Sequence, residues 1–275
     1  MKLNLIVENK TYEDGIMAEH GLALLIETGE KTILFDSGKS HALINNGNRM
    51  NLDLSKVDFA VLSHGHYDHS GGFPDFNRIN PNAPIYIHQN AFKEIYEMNE
   101  FGKPIGHNLG IQWDDKEKET IKENLIFTNE PLYITENIVI SGSIPNEMRE
   151  HKTGRFLEKV GSEYKFDEME HEQFLAINEN EQLYIFTACS HTGVKPVVDY
   201  AKQLFPDMNI RLVFGGFHLY SSQIDLLLNA VDRITTMDVE YYMPVHCTGL
   251  KATFRMKELL GDRCVVLNAG DKLYF

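Results

Sequence analysis

The sequence predicts an α/β (α+β) fold of two sheets with helices packed outside them, and three observations carry that expectation. Short apolar runs separated by turns fill the first third of the 275 residues, strand–helix alternation dominates after Phe174, and nothing between them reads as a linker. With no repeat or low-complexity tract either, residues 1–275 read as a single domain.

Taken in order, Leu3–Val7, Leu22–Glu27 and Thr32–Phe35 read as strands, and Gly29-Glu30 suits a hairpin turn between the last two. Ser40–Asn46 reads as a short helix and Phe59–Leu62 as a compact buried strand. Gly72–Phe76 begins a return stretch, Ile85–His88 is a strand and Ala91–Met98 a helix, while residues 99–124 are polar and loop-rich. Leu132–Ile134 and Ile138–Ser141 are strands. The charged, weakly periodic stretch 145–172 is read equally as a solvated excursion or as a cover over a substrate. Strands are then expected at Phe174–Ile177, Leu183–Thr187 and Ile210–Phe214, and helices at Lys195–Leu204, Gln223–Met237 and Ala252–Leu260. Tyr241–Pro244 leads to His246, and Val265–Leu267 and Lys272–Phe275 close a sheet.

Composition narrows the function classes. Hydrophobic residues at 43% and charged residues at 24% are the balance of an ordinary soluble protein. No apolar run reaches the ~18 residues of a membrane span, and the apolar start is too short for a signal peptide, so a cytoplasmic location is expected. The formal charge of 26 − 40 = −14 argues against nucleic acid as a partner, leaving a small-molecule substrate; oligomeric state stays open. Cys189, Cys247 and Cys264 are too scattered for a disulfide framework or a zinc ribbon.

Chemistry concentrates in His64-Gly65-His66-Tyr67-Asp68-His69, where three imidazoles and a carboxylate follow a buried strand. That donor set suits zinc, and also iron or manganese. Gly65 permits a sharp turn, so alternate residues converge on one point, and Asp68-His69 serve a second point beside it. Gly71-Gly72 lets the backbone pass close by.

The H-x-H-x-D-H motif resembles that of the metallo-β-lactamase-fold superfamily. Ala18-Glu19-His20-Gly21-Leu22, Leu34-Phe35-Asp36-Ser37-Gly38, Ala188-Cys189-Ser190-His191-Thr192-Gly193, Gly215-Gly216-Phe217-His218-Leu219 and Val245-His246-Cys247-Thr248-Gly249 extend the resemblance over nearly the whole chain. Together they resemble one subgroup, the metal-dependent hydrolases related to the archaeal dihydropterin–ribofuranosylaminobenzene phosphate synthase. The resemblance implies a four-layer αββα sandwich with a metal site at one edge of the paired sheets.

It also implies a ligand set. His64 and His66 hold a first metal; Asp68, His69 and His246 hold a second. Cys189 stands where the superfamily usually has a bridging aspartate, and is read equally as a thiolate ligand or as a small buried hydrophobe. His191 is favoured as the third ligand of the first metal, with His171 as the other candidate. His218 is read as substrate-facing or proton-transferring. His20 is as much a packing residue as a catalytic one, and Asp36 fixes the metal loop by hydrogen bonds without ligating. His41, His88, His107 and His151 are read as ordinary surface or loop histidines.

Two divalent ions, zinc first, would bridge a water and lower its pKa toward ~7 for attack on a carbonyl or phosphoryl centre, with Asp68 also orienting the nucleophile. The function expected is a metal-dependent hydrolase of a small-molecule ester, lactone or phosphoester. The alternatives are a metal-dependent transferase condensing a pterin pyrophosphate with a ribofuranosylaminobenzene phosphate, and a non-catalytic metal-stabilised binding protein. Substrate choice is assigned to loops 99–118 and 145–172.

Overall fold

The computed structural model describes residues 1–150 and 155–275, so the reading of His151 lies outside the described residues. Alternate side chains of the early strands go to opposite apolar cores, the period of a strand buried on both faces. Leu22, Leu24 and Ile26 enter one core while Ala23 and Leu25 enter another; Ile33 and Phe35 divide from Leu34, and Phe59 and Val61 from Ala60 and Leu62, in the same way. These strands form a seven-stranded sheet in the order Lys272–Tyr274, Lys2–Val7, Ala23–Glu27, Thr32–Phe35, Phe59–Val61, Ile85–His88, Leu125–Thr128. It is antiparallel up to Thr32–Phe35 and parallel beyond.

The later strands repeat the scheme. Leu175, Ile177, Tyr184, Phe186, Leu212 and Phe214 face the first sheet, while Ala176, Leu183, Ile185, Ile210 and Val213 face outward onto helices. Their six-stranded sheet runs Val239–Pro244, Asn209–Gly215, Gln182–Phe186, Leu175–Glu179, Ile138–Ile140, Leu132–Thr135. One core lies between the sheets. A second lies under Ala42–Arg49 and Phe73–Ile79, and a third under Val194–Leu204, Ile224–Thr235 and Leu250–Leu260. Helix, sheet, sheet, helix: the layers are αββα.

Three expectations need correction. Ala91–Met98 is not a helix; Ile95–Met98 is a strand, because its edge is taken by the antiparallel partner Phe156–Glu158, far off in sequence. Residues 99–124 are not all loop. They hold the short strand Pro104–Ile105 and the helix Asp115–Ile121, whose Asp114 accepts from Glu117 N–H at 2.7 Å while Glu117 accepts from Asp114 N–H at 3.0 Å. Val265–Leu267 is not a strand, since only Cys264 bridges Tyr242. Within 145–172, the hairpin Phe156–Val160/Glu163–Phe166 joins Ile95–Met98 and Pro104–Ile105 in a small antiparallel sheet. Leu125–Thr128, unassigned by pattern, closes the edge of the large sheet. Among the described residues no helix is long and apolar enough to cross a membrane.

Candidate metal centre

The parallel strands set the site: the chain passes from their carboxyl ends into Asp36, His64, Cys189, His218 and His246, the end where open α/β sheets gather ligands. The backbone is strained there. Asp36, Ser190, His218 and His246 take φ of 57°, 50°, 48° and 49°, a region non-glycine residues seldom visit. Gly65 is a steric requirement, because a Cβ at that position would lie 2.0 Å from the Ala91 carbonyl oxygen.

The imidazoles are oriented from behind. Ser63 Oγ donates to Asp36 Oδ2 at 2.8 Å, so it accepts from His64 Nδ1 at 2.9 Å, and His64 turns a lone pair at Nε2 toward the centre. Asp36 Oδ2 also takes His69 Nδ1 at 2.7 Å, and Asn9 Oδ1 takes His246 Nδ1 at 2.8 Å. Both rings therefore aim Nε2 inward as well. This is the arrangement in which a carboxylate or amide fixes the tautomer of a metal-binding histidine.

The inward atoms crowd together. His64 Nε2 is 3.1 Å from His66 Nδ1 and 3.3 Å from His191 Nε2; His69 Nε2 is 3.3 Å from Cys189 Sγ and 3.8 Å from Asp68 Oδ2; His246 Nε2 is 3.4 Å from that same oxygen. Three groups have potential ligand atoms all within 4.8 Å: His64/Cys189/His191, His69/Cys189/His246 and His20/Asp68/His246. Cys189 belongs to two of them, between the His64 side and the His69 side. His66 Nε2 is buried with no hydrogen-bond partner, a costly state in a folded interior. Nitrogen, sulfur and carboxylate donors facing one another in this way fit a divalent metal, although His66, which meets His64 through Nδ1, is in none of the three groups.

Electrostatics divide the cluster between neutral rings and groups that keep a proton. Burial holds His64 well below its usual pKa, His66 at about 3, and His246 lowered, so these rings are neutral. Against the same burial, Asp68 and Asp36 push His69 up to about 9. Asp68, though buried, is held ionised by His69, His20 and His246. Burial and the neighbouring Cys247 push the Cys189 thiol well above the usual range.

His191 and His171 are placed differently relative to His64. His191 points Nε2 at His64, while its backbone N–H and that of Thr192 are held by the buried Glu172 carboxylate at 2.7 and 2.8 Å. His171 has both nitrogens committed elsewhere, accepting from Gly65 N–H and pairing with Asp167. Asp36 touches ligand candidates from behind. His20 reaches Asp68 at 3.2 Å from a half-exposed position.

His218 lines a cavity of about 240 Å³ with His20, Tyr67, His107, Arg155 and Tyr220, which opens onto His66 and His191 as well as Asp68. Phe156 covers it, its ring centroid 5.1, 5.2 and 6.0 Å from those of His66, His191 and His218. Two ordinary readings change: His107 sits in the cavity wall, and His88 is buried, bonded to Ser143 at 2.8 Å. His41 is exposed and pairs with Asp75. Sequence reasoning missed Glu8, which accepts from His246 N–H at 2.8 Å, as well as Asn9, Glu172, Arg155 and Phe156. Glu172 adjoins His171, but no spacing marks any of the five.

A metallo-hydrolase fold with a histidine-rich centre at its strand ends is the class these features define. The metallo-beta-lactamase superfamily model matches residues 17–140. An uncharacterized protein of Methanocaldococcus jannaschii is 33% identical over 260 residues, 94% of each chain. The 7,8-dihydropterin-6-methyl-4-(beta-D-ribofuranosyl)-aminobenzene-5'-phosphate synthase of the same organism is 28% identical over 96% of this chain and 92% of its own length. The crystal structure of Tm1679, a metal-dependent hydrolase of the beta-lactamase superfamily, matches with a TM-score of 0.84 at 27% identity, covering 100% of this chain and 99% of that one. This chain belongs to the metallo-beta-lactamase superfamily.

Proposed function

We propose that the chain is a metal-dependent hydrolase of a small-molecule ester, lactone or phosphoester, working in the cytoplasm with a binuclear centre. The observation that carries this reading is the clustering of His66 and His191 on His64 and of His69 and His246 on Asp68, with Cys189 within reach of both His64 and His69. In it, His64, His66 and His191 hold one cation, Asp68, His69 and His246 the other, and Cys189 lies between. Zinc suits this nitrogen, sulfur and oxygen set best. When bound, such a pair supplies Lewis acidity toward water and substrate oxygen.

The chain's own groups do the rest. Asp68 orients the nucleophile and is itself kept ionised by His69, His20 and His246. His218 accepts Arg155 Nη1–H at Nδ1, 3.3 Å away, so it carries its proton on Nε2, the atom from which it donates a hydrogen bond to a substrate oxygen. Phe156 keeps bulk water off the His66 side. The cavity of about 240 Å³ suits a small substrate rather than a polymer.

The experiment is elemental analysis of protein purified without added metal, with His66→Ala and Asp68→Ala alongside. About two metals per chain, lost together with esterase or phosphoesterase activity in both folded variants, supports the reading; unchanged stoichiometry in the variants sinks it. A transferase is the second reading, favoured by the 28% identity to a synthase over most of both chains. Condensation of a pterin pyrophosphate with a ribofuranosylaminobenzene phosphate, assayed on the same preparation, separates the two.

A further inference from the structure

The cavity over the metal centre has an outer wall whose cation the hydrolase reading uses only to hold His218. Of the described residues lining it, Arg155 alone carries a permanent positive charge. Its backbone is fixed, since its carbonyl accepts Met98 N–H at 2.8 Å. The guanidinium lies over the Tyr220 and Phe156 rings at 5.2 and 5.8 Å. Nη1 donates to Ser221 Oγ at 2.6 Å, and Nη2 to Tyr220 OH at 2.9 Å and Glu97 Oε1 at 3.2 Å.

Both hydroxyls accept from the arginine, so each keeps its own proton to give elsewhere. Three donors of different residues thus stand together beside the cavity. The counter-charge is loosely held: Glu97 is 44% exposed and its pair with Arg155 is exposed to water, where such pairs are weak and easily exchanged. A phosphate or carboxylate can take the Nη2–H that Glu97 vacates as a charge-assisted bond, accept from the Tyr220 and Ser221 hydroxyls as well, and is the natural replacement.

We propose that Arg155, with Tyr220 and Ser221, is a specificity-determining anion clamp, holding a phosphate or carboxylate that the substrate carries away from the bond being broken, and that Glu97 occupies the clamp until the substrate displaces it. This rests on the cavity being the active site. It goes further in naming the substrate class as anionic small molecules.

The test is calorimetric titration of the metal-loaded protein with inorganic phosphate and, separately, with acetate, comparing wild type, Arg155→Met and Glu97→Gln. The clamp predicts that the Kd of at least one anion rises tenfold or more in Arg155→Met and falls several-fold in Glu97→Gln; which anion responds identifies the group. If Arg155 is only a latch tying the small sheet to the loop at Tyr220, neither Kd moves, and the proposal is overturned. It is equally overturned if the metals alone hold the anion, since affinity is then equal in all three proteins, or if wild type binds neither anion. Should Arg155→Met fail to fold, the opposite-signed response of Glu97→Gln decides alone. No turnover enters the measurement, so a chain that hydrolyses no ester can still pass, and an active hydrolase whose anion affinity ignores Arg155 fails this proposal only.

Discussion

The His171 ring accepts the Gly65 backbone N–H at Nδ1, 3.1 Å away, and pairs through Nε2 with Asp167 Oδ2 at 3.2 Å, so a fully buried histidine next to the metal loop spends both nitrogens on holding that loop. Asp167 is tied in turn to Lys93, which also meets Glu158 and Glu170. The small sheet and the metal loop are joined through this chain of contacts. His171→Ala leaves the Gly65 N–H buried and unpaired, at a cost of about 1–3 kcal/mol in unfolding free energy. Metal content stays near that of wild type. Urea unfolding and elemental analysis check both; metal loss as complete as in His64→Ala would make His171 a ligand.

How far this arrangement was legible depends on the range of the interaction. Leu24 and Ile26 against Ala23 and Leu25 betray a strand between two cores, because adjacent residues along the chain suffice to show it. The spacing of Ile95, Tyr96 and Met98 fits a helix or a strand, and only pairing with Phe156–Glu158 decides. The metal loop declares itself because its ligand candidates are consecutive. Glu8 and Glu172 stay hidden because they act on the backbone N–H groups of His246, His191 and Thr192 through contacts no periodicity encodes. The cover of the site was harder still: Glu163–Phe166 is exposed throughout, so its strand has no buried face to read.

Asp36 is the shared anchor of the two halves of the loop, accepting Ser63 N–H at Oδ1 and both Ser63 Oγ and His69 Nδ1 at Oδ2. Asp36→Asn keeps the shape but removes the charge and one acceptor. Partners of this kind affect metal affinity by about 10–100-fold. A loss of that size in chelator competition, with the fold intact by circular dichroism, is the expected outcome.

Cys189 is common to two ligand groups, whereas Cys247 beside it is in neither. Cys189→Ala is expected to lower the metal content by about one ion per chain. Cys189→Asp, which restores an anionic donor, should recover it. Cys247→Ala, with its Sγ near the Cys189 carbonyl at 3.9 Å, should leave stoichiometry unchanged. Equal metal content in Cys189→Ala and wild type would make the thiol a packing group.

His88 sets a pH dependence of stability apart from the metal centre. Ser143 Oγ gives its proton to the Glu170 carbonyl at 2.9 Å, so it accepts from His88 Nε2, while His88 Nδ1 accepts from Asn90 N–H at 3.1 Å. A second proton on the ring would have to take the place of the Asn90 bond. Burial, aided by His171, lowers the pKa from 6.5 to about 4. Between those values the unfolded chain binds a proton that the folded chain does not, so stability falls as pH drops through the window and levels off below about 4. Allowing for partial solvent screening, the loss is on the order of 1–2 kcal/mol. The histidines of the candidate site, His64, His66 and His246, are lowered too and share the same acid limb. The informative quantity is therefore the difference between wild type and His88→Gln in urea midpoints from pH 7 to pH 4, whatever the variant's absolute stability. A shallower decline in His88→Gln is expected, and parallel curves would remove His88 as the source.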